Sequence, residues 1–527
     1  MMNKMSKLVP GILAVVLVLP VLCARAEDSG SIARFEITRF EIQGNTLLEQ
    51  KDIEQLLVPF EGKDRDFESV QKAVETLEAA YRAKGYDIVR VVLPEQELNQ
   101  GVVTLKVIET RIGKISVSGN KFFSDDNIRD SLPTLQTGQT PLMAQISANL
   151  KVANENPAKK AVVQLQSSDE RGVVNANLQV TDEKPWSAAL TADNTGDEIT
   201  GRNRLTAVYQ NANMGGWDHV LTMQYTTSFA NPNEVNVYGV GYHIPLYSLK
   251  DSLDFYGSYS NVNSGTVTAG VFDVAVSGSG TAYGTRYNHN MLKVGDYDST
   301  LSFGLDYKIF NNDLAIADLP LGNRIAVHPI SLSYTGNWAV TGTTANFFFT
   351  AVRNITGGDY GSESDFASAR TDANANYKLL RYGFSYLHAF SDDWEFHAAL
   401  NGQLTTDALI QGEQFGAGGA NSVRGFSERN ITDDKGRTTN LELYTFNLCS
   451  GGALCRVLGF YDSAFVARND PLPGEIPQES IGSVGLGFRL TSAPDFVLQA
   501  DVAHVVDAST TTEKGSNRVH FKLVYTF

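Results

Sequence analysis

The sequence is poor in the residues on which most enzymes and small secreted domains depend. Only three of its 527 residues are cysteine (Cys23, Cys449 and Cys455), too few for a disulfide scaffold. The eight histidines are His219, His243, His289, His328, His388, His397, His504 and His520. They are scattered, and none has the close paired spacing of a zinc site. There is no G-x-S-x-G elbow and no phosphate loop, because the glycine run before Arg424 lacks the Gly-Lys-Ser/Thr ending. No catalytic residue, cofactor or metal is therefore expected, and the chain reads as a non-enzyme. Basic residues are outnumbered 43 to 59, giving a net charge of −16, which argues against nucleic acid as a partner. After the N-terminus, no stretch approaches the ~20 apolar residues that a membrane helix needs.

Aromatics and glycine are plentiful, with 21 Tyr, 27 Phe and 46 Gly. That mixture suits a large β-structure with aromatic girdles. The chain opens with Lys4 and Lys7, an apolar run over residues 8–23, and Ala24-Arg25-Ala26. Residues 1–26 thus read as a signal peptide, with cleavage removing Cys23. A membrane anchor is the alternative, but the run is short and polar residues follow at once. An exported chain without a membrane helix is periplasmic, released, or a barrel.

Residues 35–112 read as strand, helix, helix, strand, strand. Phe35, Ile37, Phe40 and Ile42 alternate up to Gly44-Asn45. A short helix over 48–57 follows, and then Phe67, Val70, Val74, Leu77 and Tyr81 form the stripe of an amphipathic helix. Two strands, 88–93 and 102–108, complete the unit. Residues 113–185 repeat it: Ile115, Val117 and Gly119-Asn120 echo Phe40, Ile42 and Gly44-Asn45. With Gly85-Tyr86 and Leu93-Pro94-Glu95-Gln96, these units resemble polypeptide-transport-associated (POTRA) modules, the first being of the type found in two-partner secretion. The resemblance implies sheet edges that bind extended polypeptide by strand addition; rigid spacers are the alternative.

From Trp186 the periodicity becomes two. Leu301, Phe303, Leu305, Tyr307 and Ile309 alternate with Ser302, Gly304, Asp306 and Lys308. A secreted sandwich would alternate too, so the connections are more telling. Tight turns near 215–218, 248–251, 293–296, 342–343 and 391–393 alternate with long connections near 261–278, 311–325, 355–374, 408–434 and 470–478. Short turns opposite long loops mark an outer-membrane barrel, and residues 186–527 accommodate about sixteen antiparallel strands. The last strand carries Phe521 and Tyr525 and ends on Phe527. It resembles the signal read by the barrel-insertion machinery.

Within 408–434, Gly416, Gly418 and Gly419 precede Val423-Arg424-Gly425-Phe426. These glycines permit a hinge. Two modules of βααββ pattern, a sixteen-stranded transmembrane barrel and this loop together resemble the transporter of two-partner secretion, the family of haemolysin and filamentous-adhesin exporters. The resemblance spans residues 35–527. It implies that the sixth extracellular loop folds into the pore, where Arg424 pairs with Asp462 of Phe460-Tyr461-Asp462 on the thirteenth strand. The alternative is a solvated arginine, with Asp462 paired to another lumen base such as Arg489. The segment 27–34 is too short for a pore-filling helix at ~1.5 Å per residue, so the sixth loop is expected to be the main obstruction. Cys449 and Cys455 bracket a short turn and, in an oxidising periplasm, are expected to form a disulfide rather than remain free thiols.

The resulting expectation is an outer-membrane transporter that secretes one unfolded partner exoprotein, captured through its N-terminal secretion domain. Other partners would be outer-membrane lipid and, during biogenesis, the insertion machinery. A barrel-assembly factor and a passive porin are the rival readings.

Overall fold

Strand and helix placement follows the apolar periodicities closely. The structure is a computed structural model describing residues 34–527, apart from 98–99, 199, 263–264, 270–271, 277–278, 312–314, 317–318, 321–323 and 493–494. The expected signal peptide, residues 1–26, lies outside the described residues, as does all but the last residue of segment 27–34.

In the first module, Val102–Ile108 is the central strand, parallel to Arg39–Gln43 and antiparallel to Arg90–Val92. Helices Gln50–Leu57 and Phe67–Ala83 accompany the sheet. The longer helix buries Val70, Ala73, Leu77 and Tyr81, a clean i, i+3, i+4 stripe. Phe67, expected on that stripe, is 63% exposed, because it begins the helix and falls outside the buried arc. An unforeseen short strand, Gly62–Arg65, pairs with Phe35–Ile37.

The second module repeats the topology. Val173–Asp182 is central, parallel to Arg111–Ser118 and antiparallel to Lys159–Ser167. Its first strand begins at Arg111, just inside the expected boundary at 112. Helices Asp125–Asp130 and Met143–Ala153 pack on it, around Ile112, Phe123, Ile128, Ile146 and Leu178. The repeated Gly-Asn pairs have one cause. Gly44 and Gly119 adopt φ of +83° and +88°, and a Cβ there would lie 2.6 Å from the Val107 carbonyl oxygen and 2.3 Å from that of Val180. Only glycine fits where the chain leaves the edge strand over the central one.

Sixteen strands close a barrel. In order they are Trp186–Asp193, Arg204–Met214, His219–Ser228, Val237–Leu246, Asp251–Ser260, Ser279–Asn290, Tyr297–Asn311, then Arg324–Val327 continuing as Pro329–Val340. Thr343–Asn354, Lys378–Ala389, Glu395–Leu404, Lys435–Tyr444, Ala453–Ala467, Gln478–Ser492, Phe496–Asp507 and Asn517–Thr526 complete the ring. The eighth strand is interrupted at His328, next to Pro329, which has no N–H for the ladder. Both of its halves pair with the seventh. The sixteenth pairs with the first, from Lys522↔Asp193 to Thr526↔Ala189, so no edge is left open.

Alternation sets the two faces of this wall. Phe303 and Leu305 are exposed outward, whereas the side chain of Asp306, the next residue, is buried against Arg286. Tyr225, Tyr238 and Tyr259 form an outward row with neighbouring ring centroids 5.1 and 6.3 Å apart, an aromatic belt at one rim. At the other rim, the short turns meet the second module. Asn127 Nδ2 donates to the Gly216 carbonyl (2.9 Å), and Asn149 Nδ2 to that of Tyr247 (2.6 Å). Lys151 Nζ reaches Asp298 at 2.6 Å.

Candidate functional site

The connection between the eleventh and twelfth strands, residues 405–434, turns back into the barrel. Its arms, Phe415–Ala417 and Ile431–Asp433, pair antiparallel. Its tip is packed by Val423 and Phe426, both fully buried with Ala464, Val466, Ile481 and Val505 of the wall. An apolar tip inside a polar lumen needs its own apolar seat, and the small side chains of the thirteenth to fifteenth strands provide it. Gly418 and Gly419 hold φ of +113° and +107° at the start of the tip, while Gly416 lies against Arg429 without a positive φ. Gly425, at φ +97°, packs so near the wall that a Cβ would lie 3.4 Å from that of Ala503.

Arg424 is 4% exposed at its side chain and Asp462 is wholly buried. Nε and Nη2 of Arg424 donate to the two Asp462 carboxylate oxygens at 2.6 and 2.8 Å, and the Arg424 backbone N–H donates to Oδ2 at 3.1 Å. The third guanidinium nitrogen, Nη1, lies 2.8 Å from Glu442 and 3.6 Å from Asp501. The guanidinium carbon sits 3.5 Å from the centroid of the Phe460 ring, a cation–π contact in a dry setting. Asn440 Nδ2 donates to Asp462 Oδ1 at 2.8 Å. His520 Nε2 accepts from the Gly425 N–H at 3.0 Å, so its ring proton must lie on Nδ1. A charge-paired, bidentate geometry of this kind is strong and directional. Arg489, the alternative partner for Asp462, instead pairs with Asp501 at 2.8 and 3.0 Å.

Sequence reasoning missed five groups around the arginine: Asn440, Glu442, Phe460, Asp501 and His520. Asn440, Glu442 and Phe460 could have been found from register. Asn440 lies directly across from Asp462, and Glu442 across from Phe460, so all share the inward face.

The base of the loop has separate fastenings. The Glu413 side chain is fully buried between Lys308 Nζ (2.9 Å) and Arg381 Nη2 (2.8 Å). Asp434, equally buried, is bound by both terminal nitrogens of Arg370, and accepts the N–H groups of Leu409 (2.9 Å) and Asn469 (2.7 Å). Neither acid was singled out from the sequence, since an acid in a long polar loop carries no distinguishing signal.

Cys449 and Cys455 are joined by a disulfide with Cα atoms 5.2 Å apart, tying the connection after the twelfth strand to the start of the thirteenth. Phe521, Tyr525 and Phe527 all point outward and are exposed. Among the described residues, no group of three or more His, Cys, Asp or Glu is placed to hold a metal ion.

Comparison with known proteins then places the chain. Residues 172–463 match the family described as haemolysin secretion/activation protein ShlB/FhaC/HecB, and residues 35–110 match the ShlB-type POTRA domain. The outer membrane transporter CdiB of Dickeya dadantii (strain 3937) is 23% identical over 413 residues, covering 78% of this chain and 72% of that one. The heme/hemopexin transporter protein HuxB of Haemophilus influenzae is 23% identical over 495 residues, covering 90% and 84%. Among solved structures, CdiB from Escherichia coli superposes with a TM-score of 0.78 at 19% identity, over 97% of this chain and 93% of that one. CdiB from Acinetobacter baumannii gives 0.70 at 15%, over 94% and 90%.

Proposed function

The chain belongs to the haemolysin secretion/activation family ShlB/FhaC/HecB, and on that premise we propose how its barrel passes a partner protein. It is an outer-membrane transporter of the two-partner secretion kind, with its POTRA modules in the periplasm. In our reading the modules take up the N-terminal secretion domain of one unfolded exoprotein as an added strand. The chain then threads the lumen while the sixth loop gives way, and folding at the surface draws it outward. The cargo belongs to the class of large exoproteins, such as haemolysins, adhesins and toxins. Val423-Arg424-Gly425-Phe426 with Asp462 acts as the latch of that loop, and Gly416, Gly418 and Gly419 as its hinge. The Cys449–Cys455 bridge pins the adjoining turn. Phe521, Tyr525 and Phe527 present the finished strand to the insertion machinery and then to lipid. No chemistry is performed on the cargo.

The observation that carries this reading is the buried Arg424–Asp462 pair, bound through two side-chain nitrogens and the backbone N–H. A static plug has no need of a polar fastening, since an apolar one of similar volume is often no less stable. A polar pair has discrete attached and detached states. The test compares surface and supernatant proteins of cells with the gene, without it, and with Arg424→Ala. Loss of one large protein on deletion, and a fall in that same protein with Arg424→Ala at normal barrel abundance, are expected. A general fall in outer-membrane proteins would instead mark an assembly factor, and unchanged profiles a porin. Wild-type export by Arg424→Ala would remove the latch.

A further inference from the structure

We propose that the sixth loop is divided into a fixed base, held by Arg370 and Glu413, and a separately released tip, held by Arg424. The inference rests on the latch reading above and says which part of the loop that latch controls.

The two ends of the loop are fastened to different sectors of the barrel: the base near the seventh to eleventh strands and the tip at the twelfth to sixteenth. The tip meets the inward face of the wall through Arg424, Val423, Gly425 and Phe426, and where it rejoins the arm Asn430 Nδ2 donates to the Thr511 hydroxyl at 3.0 Å. The base is built into a shell of other outer loops. Helix Glu363–Ala369, in the connection after the ninth strand, opens with a capping box at Ser362 and Asp365 and seats Phe366 in an apolar cluster with Leu409, Ile410 and Tyr377. Ala373 and Ala408 form a parallel β-bridge, and Asn374 N–H donates to the Ala408 carbonyl at 3.0 Å. Arg370 ties three outer connections together. Its guanidinium donates to the Leu409 carbonyl (2.7 Å), to Asp434, and to the Asn469 carbonyl (2.9 Å).

The lumen side of the base is charged as well. Glu413 lies between Lys308 and Arg381, and Gln403 Nε2 donates to both the Glu413 and Asp434 carbonyls, at 3.0 and 2.9 Å. Moving the base would strand Glu413 and Asp434 without their cations, along with an apolar cluster. Moving the tip breaks one ion-pair group and the hydrogen bonds to His520, Asn440 and Thr511, and unseats Val423 and Phe426. Between the two lie Gly418 and Gly419, whose φ values of +113° and +107° mark where the chain changes direction. The tip therefore has its own pivot and its own lock. Arg370 and Glu413 are positioning residues: they hold the base so that the tip reseats in register with Asp462.

The test pins the base covalently. Ala373→Cys with Ala408→Cys places two thiols across the bridge, within the reach a disulfide needs. Neither residue contacts the Arg424 group. Export is measured in the oxidised chain and again after mild reduction, with the wild-type chain, which keeps only Cys449–Cys455, given the same treatment. The oxidised chain is expected to export as well as the reduced one. Loss of export on oxidation, restored by reductant, would overturn the division, because the base would then have to move. The Arg424→Ala arm separates this from failure of the latch itself: if that variant exports normally, the latch reading falls, whatever the base does. A second measurement needs no cargo. Arg370→Ala is expected to raise the resting conductance of the purified protein in planar bilayers, and the 373–408 disulfide to bring it back down. A conductance that the disulfide leaves unchanged would show that Arg370 does not act by holding the base.

Discussion

Arg424 is a residue whose geometry matters more than its charge. Two of its nitrogens fork onto Asp462, the third meets Glu442, and its flat face lies on Phe460. Lysine keeps the charge but offers neither the fork nor the flat face. Arg424→Lys is therefore expected to export nearly as poorly as Arg424→Ala, while remaining inserted; partner protein in the supernatant and heat-shifted migration of the barrel read the two separately. Export by the lysine variant close to wild type would mean that charge alone seats the tip. Arg424 and Asp462 were legible in the sequence because each stands in a short distinctive motif. Their neighbours were not. Alternation marks Thr438, Asn440 and Glu442 as inward alike, and only the register across the strand pair shows which of them the loop meets. Glu413 and Asp434 were illegible for a different reason: nothing local in a loop sequence reveals that an acid will be buried by cations from remote strands.

Among the elements, the second module shows how one side chain can secure a turn. Asp182 ends the central strand, and its carboxylate accepts the N–H groups of Lys121, Phe122 and Phe123 at 2.8–3.0 Å. Burial alone would raise this carboxyl, but the amides of Phe122, Lys121 and Phe123 outweigh it and hold it below the usual aspartate range. The sign follows from linkage. A carboxyl lower in the folded state contributes in full above its unfolded titration, and that contribution is lost as pH falls through the folded value. Asp182→Asn is expected to cost about 1–3 kcal/mol, because a neutral amide cannot satisfy three donors. Amide exchange in the full chain tests it: protection of residues 121–123 should drop in the variant at neutral pH. In the parent it should hold at neutral pH and fall only in acid, below about pH 4. The βααββ order was readable from period and turn residues. The Gly62–Arg65 strand was not, since Gly62-Lys63-Asp64-Arg65 has no apolar alternation and is recruited by its partner Phe35–Ile37.

At the scale of the molecule, the second module of this outer-membrane transporter is fastened to the barrel. Lys159, on the module, forms an ion pair with Asp218, in the turn between the second and third barrel strands, with both side chains essentially excluded from water. Asn127 Oδ1 accepts from the same ammonium at 3.1 Å, and the Tyr247 hydroxyl donates to Asp218 at 2.6 Å. Burial pushes the lysine down from its ordinary value, while Asp218 opposes that shift. Removing one partner of such a pair leaves a buried charge uncompensated, at about 3–5 kcal/mol. Lys159→Met should therefore loosen the joint without unfolding either side. Faster amide exchange in residues 121–127 and 215–218 would report the loosening, and export should fall while the barrel stays inserted. Adding Asp218→Asn removes the stranded charge, and asparagine tolerates the φ of +63° at that position, so the double variant should recover slow exchange. If export returns with it, the joint acts by aligning module and pore. If slow exchange returns and export does not, the ammonium itself takes part in passing the cargo, and Lys159 belongs to the path rather than to the frame.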